Sequence, residues 1–221
     1  MANISTKQLR KNEKLIEGLN NGTINHEEFL KDYVPTRTEM GQFFTPKEVV
    51  DKMLSFAGIT YGEKVLEPSC GIGNILYYLP NDAIGIEWDN KTNELAKKIT
   101  GREIINGNLF SIYRDYIGQF DCIVGNPPFG DTPGRKDLDH ELEVGETRAE
   151  IMAIECIYQM LKEGGRAVLL LPTMIAKGGR NYSKLYKFIE NHDTCLEMVY
   201  DCGYVDFKTT KIGVGIYEMW K

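Results

Sequence analysis

The chain has 221 residues, of which 42% are hydrophobic and 26% charged, and its formal net charge is −6. This length suits one medium α/β domain with a short appendage, and the composition is that of an ordinary globular protein. The acidic balance excludes a broad electrostatic attraction to nucleic acid, so any DNA contact must come from a local basic surface. A polar N-terminus without membrane-length apolar runs predicts a cytoplasmic protein, and cysteines without Cys-x-x-Cys spacing predict reduced thiols and no metal site.

Residues 1–40 are predicted to form a helical N-terminal segment. Ser5 to Asn20 has the apolar spacing of a polar helix, and Thr23 to Tyr33 is typical of a second, shorter helix. We expect both helices to cap the main domain, residues 41–221. Docking of a partner protein onto these helices is the alternative.

The main domain is predicted to open with a helix over 47–57. Phe43, Phe44, Thr45 and Pro46 precede it directly. Thr45 is the expected N-cap, and Pro46 suits the first helical turn. Taken alone, this pattern indicates no more than a helix start with two core phenylalanines.

A strand, a glycine loop and a helix follow. The strand is predicted over Lys64 to Glu67, and the helix from Ile75 onward. In the loop between them, Gly71 and Gly73 allow a ligand to approach the backbone closely.

The next predicted strand, Ala83 to Glu87, ends in an acid. A carboxylate at this position can accept hydrogen bonds from both hydroxyls of a ribose. Trp88 beside it can lie on an adenine ring. A helix over Asn90 to Ile99 and a third strand over Arg102 to Ile105 complete this part of the chain.

A fourth strand, centred on Cys122 to Val124, runs into Gly125-Asn126-Pro127-Pro128-Phe129. Proline has no N–H for a sheet ladder, so strand pairing must end here, at the carboxyl edge where open α/β sheets bind ligands. The Asn126 amide, the Pro127 carbonyl and the Phe129 ring together suit a planar ring that bears an amino group. A plain strand followed by a proline turn is the alternative.

The remaining chain continues the alternation of strands and helices. Residues 130–146 are predicted to be a polar loop without periodicity, which is typical of lids, binding loops or disorder. We expect Gly164 and Gly165 to end the helix that follows. That helix is predicted over Arg148 to Leu161, and a further helix over Asn181 to Glu190. Strands are predicted over Arg166 to Leu171, Leu196 to Tyr200 and Gly213 to Trp220. This alternation predicts a mostly parallel sheet with helices on both faces.

The sequence lacks the motifs of several other enzyme classes. The glycine loop has no Gly-Lys-Ser/Thr, and Leu76 stands where the dinucleotide fingerprint has its third glycine, so NAD-dependent hydride transfer is only a runner-up. There is no Gly-x-Ser-x-Gly elbow and no Pro-Cys nucleophile. The histidines, His26, His140 and His192, are predicted to be surface residues without partners.

Five motifs occur in a fixed order: Phe-Phe-Thr-Pro46, Glu-Pro-Ser-Cys-Gly-Ile-Gly-Asn74, Gly-Ile-Glu-Trp-Asp89, Gly-Asn-Leu-Phe110 and Asn-Pro-Pro-Phe129. Over about Gln42 to Trp220 the chain resembles the S-adenosylmethionine-dependent adenine-N6 DNA methyltransferases of restriction–modification systems. It looks closest to the modification subunits of type I systems and their type II relatives. The resemblance implies a Rossmann-like seven-stranded, mostly parallel sheet whose last strand is antiparallel.

The activity implied is methyl transfer from S-adenosylmethionine to N6 of an adenine flipped out of DNA. Asn-Pro-Pro-Phe also resembles RNA amino-methyltransferases and protein-glutamine methyltransferases. A methyltransferase acting on an RNA base amine or a protein amide is therefore the alternative, and a catalytically inactive cofactor-fold module is a third reading.

The resemblance also implies roles for individual residues. The target base is held by Asn126, Pro127, Pro128 and Phe129. The cofactor is held by Phe43, Phe44, Thr45, Pro46, Glu67, Pro68, Ser69, Cys70, Gly71, Gly73, Asn74, Glu87, Trp88, Asn108 and Leu109. Many relatives have aspartate where this chain has Asn108, whose oxygen can still accept a hydrogen bond from the cofactor's adenine amine, but without charge assistance.

Contacts to DNA phosphates are expected from basic residues, most of them in loops near the carboxyl edge of the sheet. The candidates are Arg37, Arg135, Lys136, Lys177, Arg180, Lys208 and Lys211. These residues offer little for reading several base pairs. We therefore expect a partner that supplies target recognition, either a specificity or target-recognition subunit or a second copy of the chain.

Overall fold

The computed structural model describes residues 5–34, 44–130, 142–145, 148–207 and 211–221. Its centre is a seven-stranded sheet in the order β3-β2-β1-β4-β5-β7-β6. The strands are β1 (Val65–Glu67), β2 (Ile84–Glu87), β3 (Ile104–Asn106), β4 (Phe120–Gly125), β5 (Leu161–Pro172), β6 (Cys195–Asp206) and β7 (Lys211–Trp220). The first five pair in parallel, while β7 is antiparallel to both β5 and β6. The predicted Rossmann-like sheet with an antiparallel last strand is confirmed.

Helices cover both faces of this sheet. They are α1 (Thr6–Asn20), α2 (His26–Asp32), α3 (Lys47–Ala57), α4 (Asn90–Thr100), α5 (Leu109–Ile112), α6 (Ala149–Met160), α7 (Met174–Lys177) and α8 (Ser183–Asn191). Because side chains alternate along a strand, Leu66 and Ile123 pack with α5, α6 and α8, whereas Val65 and Val124 pack with α3 and α4. Within the described residues, no helix is both long and apolar enough to cross a bilayer.

The N-terminal helices pack on the first half of the domain. Ser5 caps α1, and Asn25 and Glu28 form a capping box at α2. Phe29 and Tyr33 belong to a buried cluster with Ile72 of the glycine loop and Ile99 of α4. The division at residue 40 stays a proposal, because residues 35–43 are not among those described.

Two helix boundaries differ from the predictions. Pro46, not Thr45, is the N-cap of α3, and it provides no side-chain cap bond. The helix expected from Ile75 is a short 3₁₀ turn, Leu76–Tyr78. At α3 the local propensity is overridden, because the expected cap Thr45 is bound by side chains of distant segments, those of Asn126 and Asn74.

Gly164 and Gly165 do not end a helix as predicted. α6 stops at Met160 and the chain enters β5 at Leu161, so both glycines lie inside the strand. Their pairing explains the difference: the Gly164 N–H donates to the Lys221 carbonyl at 2.7 Å, and the Lys221 N–H donates to the Gly165 carbonyl at 3.0 Å. Lys221 thus pairs with the backbone of both glycines, and the φ of Gly164 is +76°, a conformation that favours glycine.

The prediction that His192 has no partner is wrong. Its Nε2 lies 2.7 Å from an Oε2 of Glu143, and both side chains are partly exposed. The hydrogen bond with His192, together with one from Asn191, holds the pKa of Glu143 below its usual range. The prediction that His192 is a surface residue is confirmed by its exposure.

Candidate active site

A pocket opens at the carboxyl ends of β1, β2, β3 and β4. Backbone hydrogen bonds join its walls: the Cys70 N–H donates to the Ile86 carbonyl at 2.8 Å, and the Gly107 N–H donates to the Glu87 carbonyl at 3.1 Å. The lining residues are Phe44, Thr45, Glu67, Pro68, Ser69, Cys70, Gly71, Ile72, Asn74, Ile75, Ile86, Glu87, Trp88, Gly107, Asn108, Leu109, Phe110, Asn126 and Pro128. The structure therefore brings together most of the predicted site residues.

Glu67, the last residue of β1, is hydrogen-bonded to the turn that follows the glycine loop. Its buried carboxylate accepts a hydrogen bond from the Leu76 N–H at 2.7 Å, which ties the end of β1 to the 3₁₀ turn. Burial raises the pKa of Glu67 well above its usual range, and the nearby Glu87 carboxylate acts in the same direction. This bond satisfies the Leu76 N–H, which as the first N–H of the turn has no partner within the turn.

Glu87 and Trp88 form the wall after β2. An oxygen of Glu87 accepts a hydrogen bond from the Asp89 N–H at 2.8 Å. Burial raises the pKa of Glu87, and N–H groups of Asp89 and Gly71 oppose that rise. The neighbouring Trp88 side chain is 42% exposed. A backbone-held carboxylate that can accept from ribose hydroxyls, beside an exposed flat ring on which a base can lie, fits a nucleoside.

Asn108 lines the pocket but also has a structural task. Its side-chain oxygen accepts a hydrogen bond from the Phe110 N–H at 3.1 Å and so caps α5, a helix that the sequence did not predict. An amide oxygen has two lone pairs, so this cap leaves one of them for the expected hydrogen bond from an adenine amine. That contact stays a prediction.

Asn126 is held in one orientation by a segment far away in the chain. Its side-chain nitrogen donates to the Thr45 hydroxyl oxygen at 3.1 Å. The Thr45 carbonyl in turn accepts from the side-chain nitrogen of Asn74 at 2.6 Å, and Thr45 is only 1% exposed. The Ser69 hydroxyl donates to the Asn126 carbonyl at 3.2 Å. Thr45 is therefore used by Asn126 and Asn74 rather than by the α3 helix.

The side-chain oxygen of Asn126 is buried and has no hydrogen-bond partner among the described residues. The side-chain oxygen of Asn93 shares this property, but only Asn126 lies in the pocket lining. A buried unpaired acceptor costs about 1–3 kcal/mol, so it calls for an explanation. A donor that enters the pocket would satisfy it.

The remaining residues of the Asn-Pro-Pro-Phe motif have different surroundings. Pro128 lines the pocket, whereas Pro127 is buried and lies outside the lining. Phe129 is partly buried and packs against the apolar clusters on both faces of the sheet. Gly125 before them lies so close to the glycine loop that a Cβ there would be 2.9 Å from Cδ of Pro68.

Two predicted cofactor residues do not line this pocket. Pro46 lines a neighbouring depression beside α2 instead. Gly73 faces α4, where a Cβ would lie 2.5 Å from Cγ2 of Thr100, and its φ is +83°. The absence of a Cβ at Gly73 thus allows the loop to pack on α4, and its contact with the cofactor stays a prediction. Phe43 lies outside the described residues.

The described DNA-contact candidates divide into two groups. Lys177 and Arg180 are exposed, and they lie in the segment that follows the carboxyl end of β5. Lys211 is also exposed, but its amine lies 3.9 Å from a carboxylate oxygen of Asp206. The other candidates, Arg37, Arg135, Lys136 and Lys208, lie outside the described residues.

Sequence reasoning missed several lining residues. They are Ile72, Ile75, Ile86, Gly107 and Phe110. Gly107 carried a usable signal, since a glycine directly after a strand end often marks a close approach, and a Cβ there would lie 2.9 Å from Ile112. The apolar residues carried none, because core residues and pocket residues have the same pattern. In the described part of the chain, no three His, Cys, Asp or Glu side chains group as metal ligands.

A family model described as N-6 DNA Methylase matches residues 24–219. The chain belongs to the N-6 DNA methylase family. It is 29% identical over 182 residues to the modification methylase CviBIII of Paramecium bursaria Chlorella virus NC1A, covering 72% of this chain and 47% of that protein. It is 26% identical over 186 residues to the type I restriction enzyme EcoEI methylase subunit of Escherichia coli, covering 69% of this chain and 37% of that protein.

The chain thus spans less than half the length of these family members. A solved structure of the type I restriction-modification methyltransferase subunit of Streptococcus thermophilus superposes with a TM-score of 0.68 at 20% identity, covering 88% of this chain and 47% of that one. At this identity the likeness shows the fold, and it agrees with the family match.

Proposed function

We propose that this chain transfers a methyl group from S-adenosylmethionine to the N6 amine of an adenine flipped out of DNA. The observation that carries the proposal is the Asn126 amide. Its nitrogen is bound by Thr45, and its oxygen is buried, has no partner among the described residues and belongs to a pocket that also holds Glu87 and Trp88. Family membership supports the same reaction and the same substrate class.

A hydrogen bond to the Asn126 oxygen would make an adenine amine more nucleophilic. The N6 lone pair is delocalised into the ring, which makes the amine a poor nucleophile. If the Asn126 oxygen and the Pro127 carbonyl both accept hydrogen bonds from N6, electron density stays on the nitrogen and the nitrogen can become tetrahedral. No proton need leave the amine before attack, so no strong general base is needed, because placed dipoles and positioning carry most of the effect. The electron pair of the bond between sulfur and the methyl group would leave with the cofactor's sulfur, and the methylated amine would then release one proton to solvent.

The pocket walls fit the cofactor, which when bound supplies an electrophilic methyl group. Glu87 would accept from the ribose hydroxyls, and Trp88 would lie on the adenine. The loop from Pro68 to Asn74 and the segment of Phe44 and Thr45 would hold the amino-acid end. These assignments rest on the lining of the pocket and on the family resemblance.

Base flipping costs a few kcal/mol, and stacking on an aromatic ring returns about 1–3 kcal/mol. Phe129, directly after the pocket-lining Pro128, is the ring we assign to this task. Lys177 and Arg180, exposed after β5, would contact phosphates near the extruded base.

We further propose that target recognition needs a partner. The net charge is −6, and Lys211 is already beside an acid. Affinity for DNA comes largely from unpaired basic residues, so weak binding is expected for this chain alone. One relative is by name a subunit of a larger enzyme, which supports a specificity subunit as the partner.

The experiment incubates the purified chain with methyl-labelled S-adenosylmethionine and, separately, with genomic DNA, total RNA and a protein mixture. Mass spectrometry of the digested products then identifies the methylated atom. We expect N6-methyladenine from DNA. Label in RNA bases or glutamine amides, with none in DNA, would contradict the proposed substrate.

Asn126→Ala and Asn93→Ala form a matched pair, because each removes a buried asparagine oxygen that has no partner in the described part of the chain. Loss of one placed dipole should lower turnover about 10²–10³-fold in Asn126→Ala. Asn93→Ala should keep its turnover per folded molecule, since Asn93 lies outside the pocket lining. Mapping the modified adenines tests the partner proposal: selective methylation of one long site by the chain alone would refute it.

A further inference from the structure

The residue that follows the Asn-Pro-Pro-Phe motif is bound on both sides by helix α6. The Gly130 N–H donates to Oε2 of Glu150 at 2.7 Å. The Gly130 carbonyl accepts from the Ala149 N–H at 2.8 Å. Both backbone polar groups of Gly130 are therefore held by the first turn of α6, and we name these two bonds the Gly130 clamp.

The carboxylate in the clamp is itself fixed. Glu150 is 0% exposed. Its second oxygen, Oε1, accepts from Nε of Arg148 at 2.5 Å and from the Tyr182 hydroxyl at 3.4 Å. A position in the first turn of a helix also favours a negative charge. With partners on both oxygens, the carboxylate has one orientation, and so has the N–H that it binds.

The clamp limits where Phe129 can lie. On one side of Phe129, Pro127 and Pro128 have restricted φ angles, and Pro128 lines the pocket. On the other side, Gly130 is bound to α6. Phe129 lies between these two points, with part of its ring against the apolar clusters on both faces. The placement of the ring depends on the clamp as well as on its own packing.

We infer that Glu150 is a positioning residue for the target base, acting through Gly130 on Phe129. This inference rests on the proposed function, because the target base is what Phe129 would contact. Glu150 lies outside the lining of the cofactor pocket. Its loss should therefore impair methyl transfer and leave cofactor affinity unchanged.

Glu155 is the matched control on the same helix. It is 1% exposed, and its carboxylate also binds backbone N–H groups, those of Glu143 at 2.8 Å and Val144 at 2.9 Å. It holds a segment that does not adjoin Phe129 in the chain. Removing either acid leaves backbone N–H groups without their buried acceptor, so both losses should reduce stability, but only one should release Gly130.

The first measurement is hydrogen exchange, which does not depend on activity. Glu150→Met keeps the side-chain length and removes the acceptor, as does Glu155→Met. We expect faster exchange of the Gly130 amide in Glu150→Met, and faster exchange at Glu143 and Val144 in Glu155→Met. Equal Gly130 protection in a folded Glu150→Met variant would overturn the clamp.

The second measurement separates cofactor affinity, DNA KM and kcat. A misplaced contact costs up to about 10²-fold, so Glu150→Met should lower kcat between about 10- and 100-fold with cofactor affinity unchanged. Glu150→Gln, which keeps one acceptor oxygen, should recover part of the loss. Glu155→Met should keep kcat at saturating DNA. Parallel losses of kcat in the two methionine variants, or a normal kcat in Glu150→Met, would overturn the positioning role.

Ala149→Pro provides a second variant if Glu150→Met does not fold. It removes the other donor of the clamp at the first position of α6, where proline is tolerated. We expect Ala149→Pro to lower kcat, as Glu150→Met does, and a normal kcat in Ala149→Pro would also overturn the positioning role of the clamp. A wild-type chain without activity on DNA would contradict the proposed function, while the exchange measurement would still decide whether the clamp exists.

Discussion

Replacing Thr45 with valine tests whether the orientation of Asn126 matters for turnover. Valine has nearly the shape of threonine but no hydroxyl, so the side-chain nitrogen of Asn126 loses its acceptor at 3.1 Å. The backbone of Thr45 should stay in place, because its carbonyl still accepts from Asn74 at 2.6 Å. The substitution therefore removes one hydrogen bond inside a retained framework.

The expected size of the effect follows from burial. Thr45 is 1% exposed, so water cannot replace the lost acceptor. A buried donor left unpaired costs about 1–3 kcal/mol. If this cost is paid when the amide is oriented for the target amine, turnover should fall about 5- to 150-fold, at about 1.36 kcal/mol per factor of ten. Thr45→Ser keeps the hydroxyl and should remain close to wild type.

The assay is single-turnover methylation of DNA with saturating labelled cofactor, together with calorimetry of cofactor binding. Because Thr45 also lines the cofactor pocket, the turnover measurement is made at saturation. In an Asn126→Ala background, Thr45→Val should have no further effect on turnover, since the two residues act as one unit. Additive losses in the double variant, or turnover of folded Thr45→Val within about twofold of wild type, would refute the reasoning.

Three further predictions concern the pocket walls. Burial raises the pKa of Glu87, so cofactor affinity measured by calorimetry should weaken as the pH falls toward that raised pKa. The Glu87→Gln variant should bind the cofactor more weakly than wild type at neutral pH, and its affinity should not show this pH dependence. For Glu67, whose pKa is raised well above 4.5, the folded state binds the proton more tightly, so stability should decrease as the pH rises from 4.5 through the folded pKa. Urea unfolding at about pH 6 and about pH 8 should show a smaller decrease in Glu67→Gln. Gly73→Ala should lower the free energy of unfolding by about 2–4 kcal/mol, from overpacking and from its positive φ, and Thr100→Ser should recover about 1 kcal/mol by removing the clashing methyl. No recovery in that double variant would contradict the packing role of Gly73.

The basic architecture could be predicted from local patterns. Short apolar runs such as Cys122 to Val124 are buried between helix layers, and such runs can be recognised without tertiary information. The same holds for the strand that ends at Glu87 and for the helix over Lys47–Ala57, whose bounds are as predicted. Because parallel strands present their carboxyl ends at one edge, the order of these strands also predicted one shared pocket.

The errors arose where one local signal had two possible uses. A threonine before a proline is a good N-cap, but Thr45 is taken by Asn126 and Asn74. Two adjacent glycines often end a helix, but Gly164 and Gly165 pair with the last residue of the chain. In each case the competing partner lies far away in sequence, so a window of neighbouring residues contains no trace of it.

The sequence alone determined which chemical groups reach the carboxyl edge of the sheet: an acid at the end of β2, an amide after β4 and a glycine loop after β1. Only the tertiary structure decided what each group is free to do. Asn126 meets Thr45 across 81 positions, and Gly130 meets Glu150 across 20, so neither contact follows from spacing. The physical reason is that the orientation of a buried polar side chain is set by the one partner that packing brings within about 3 Å.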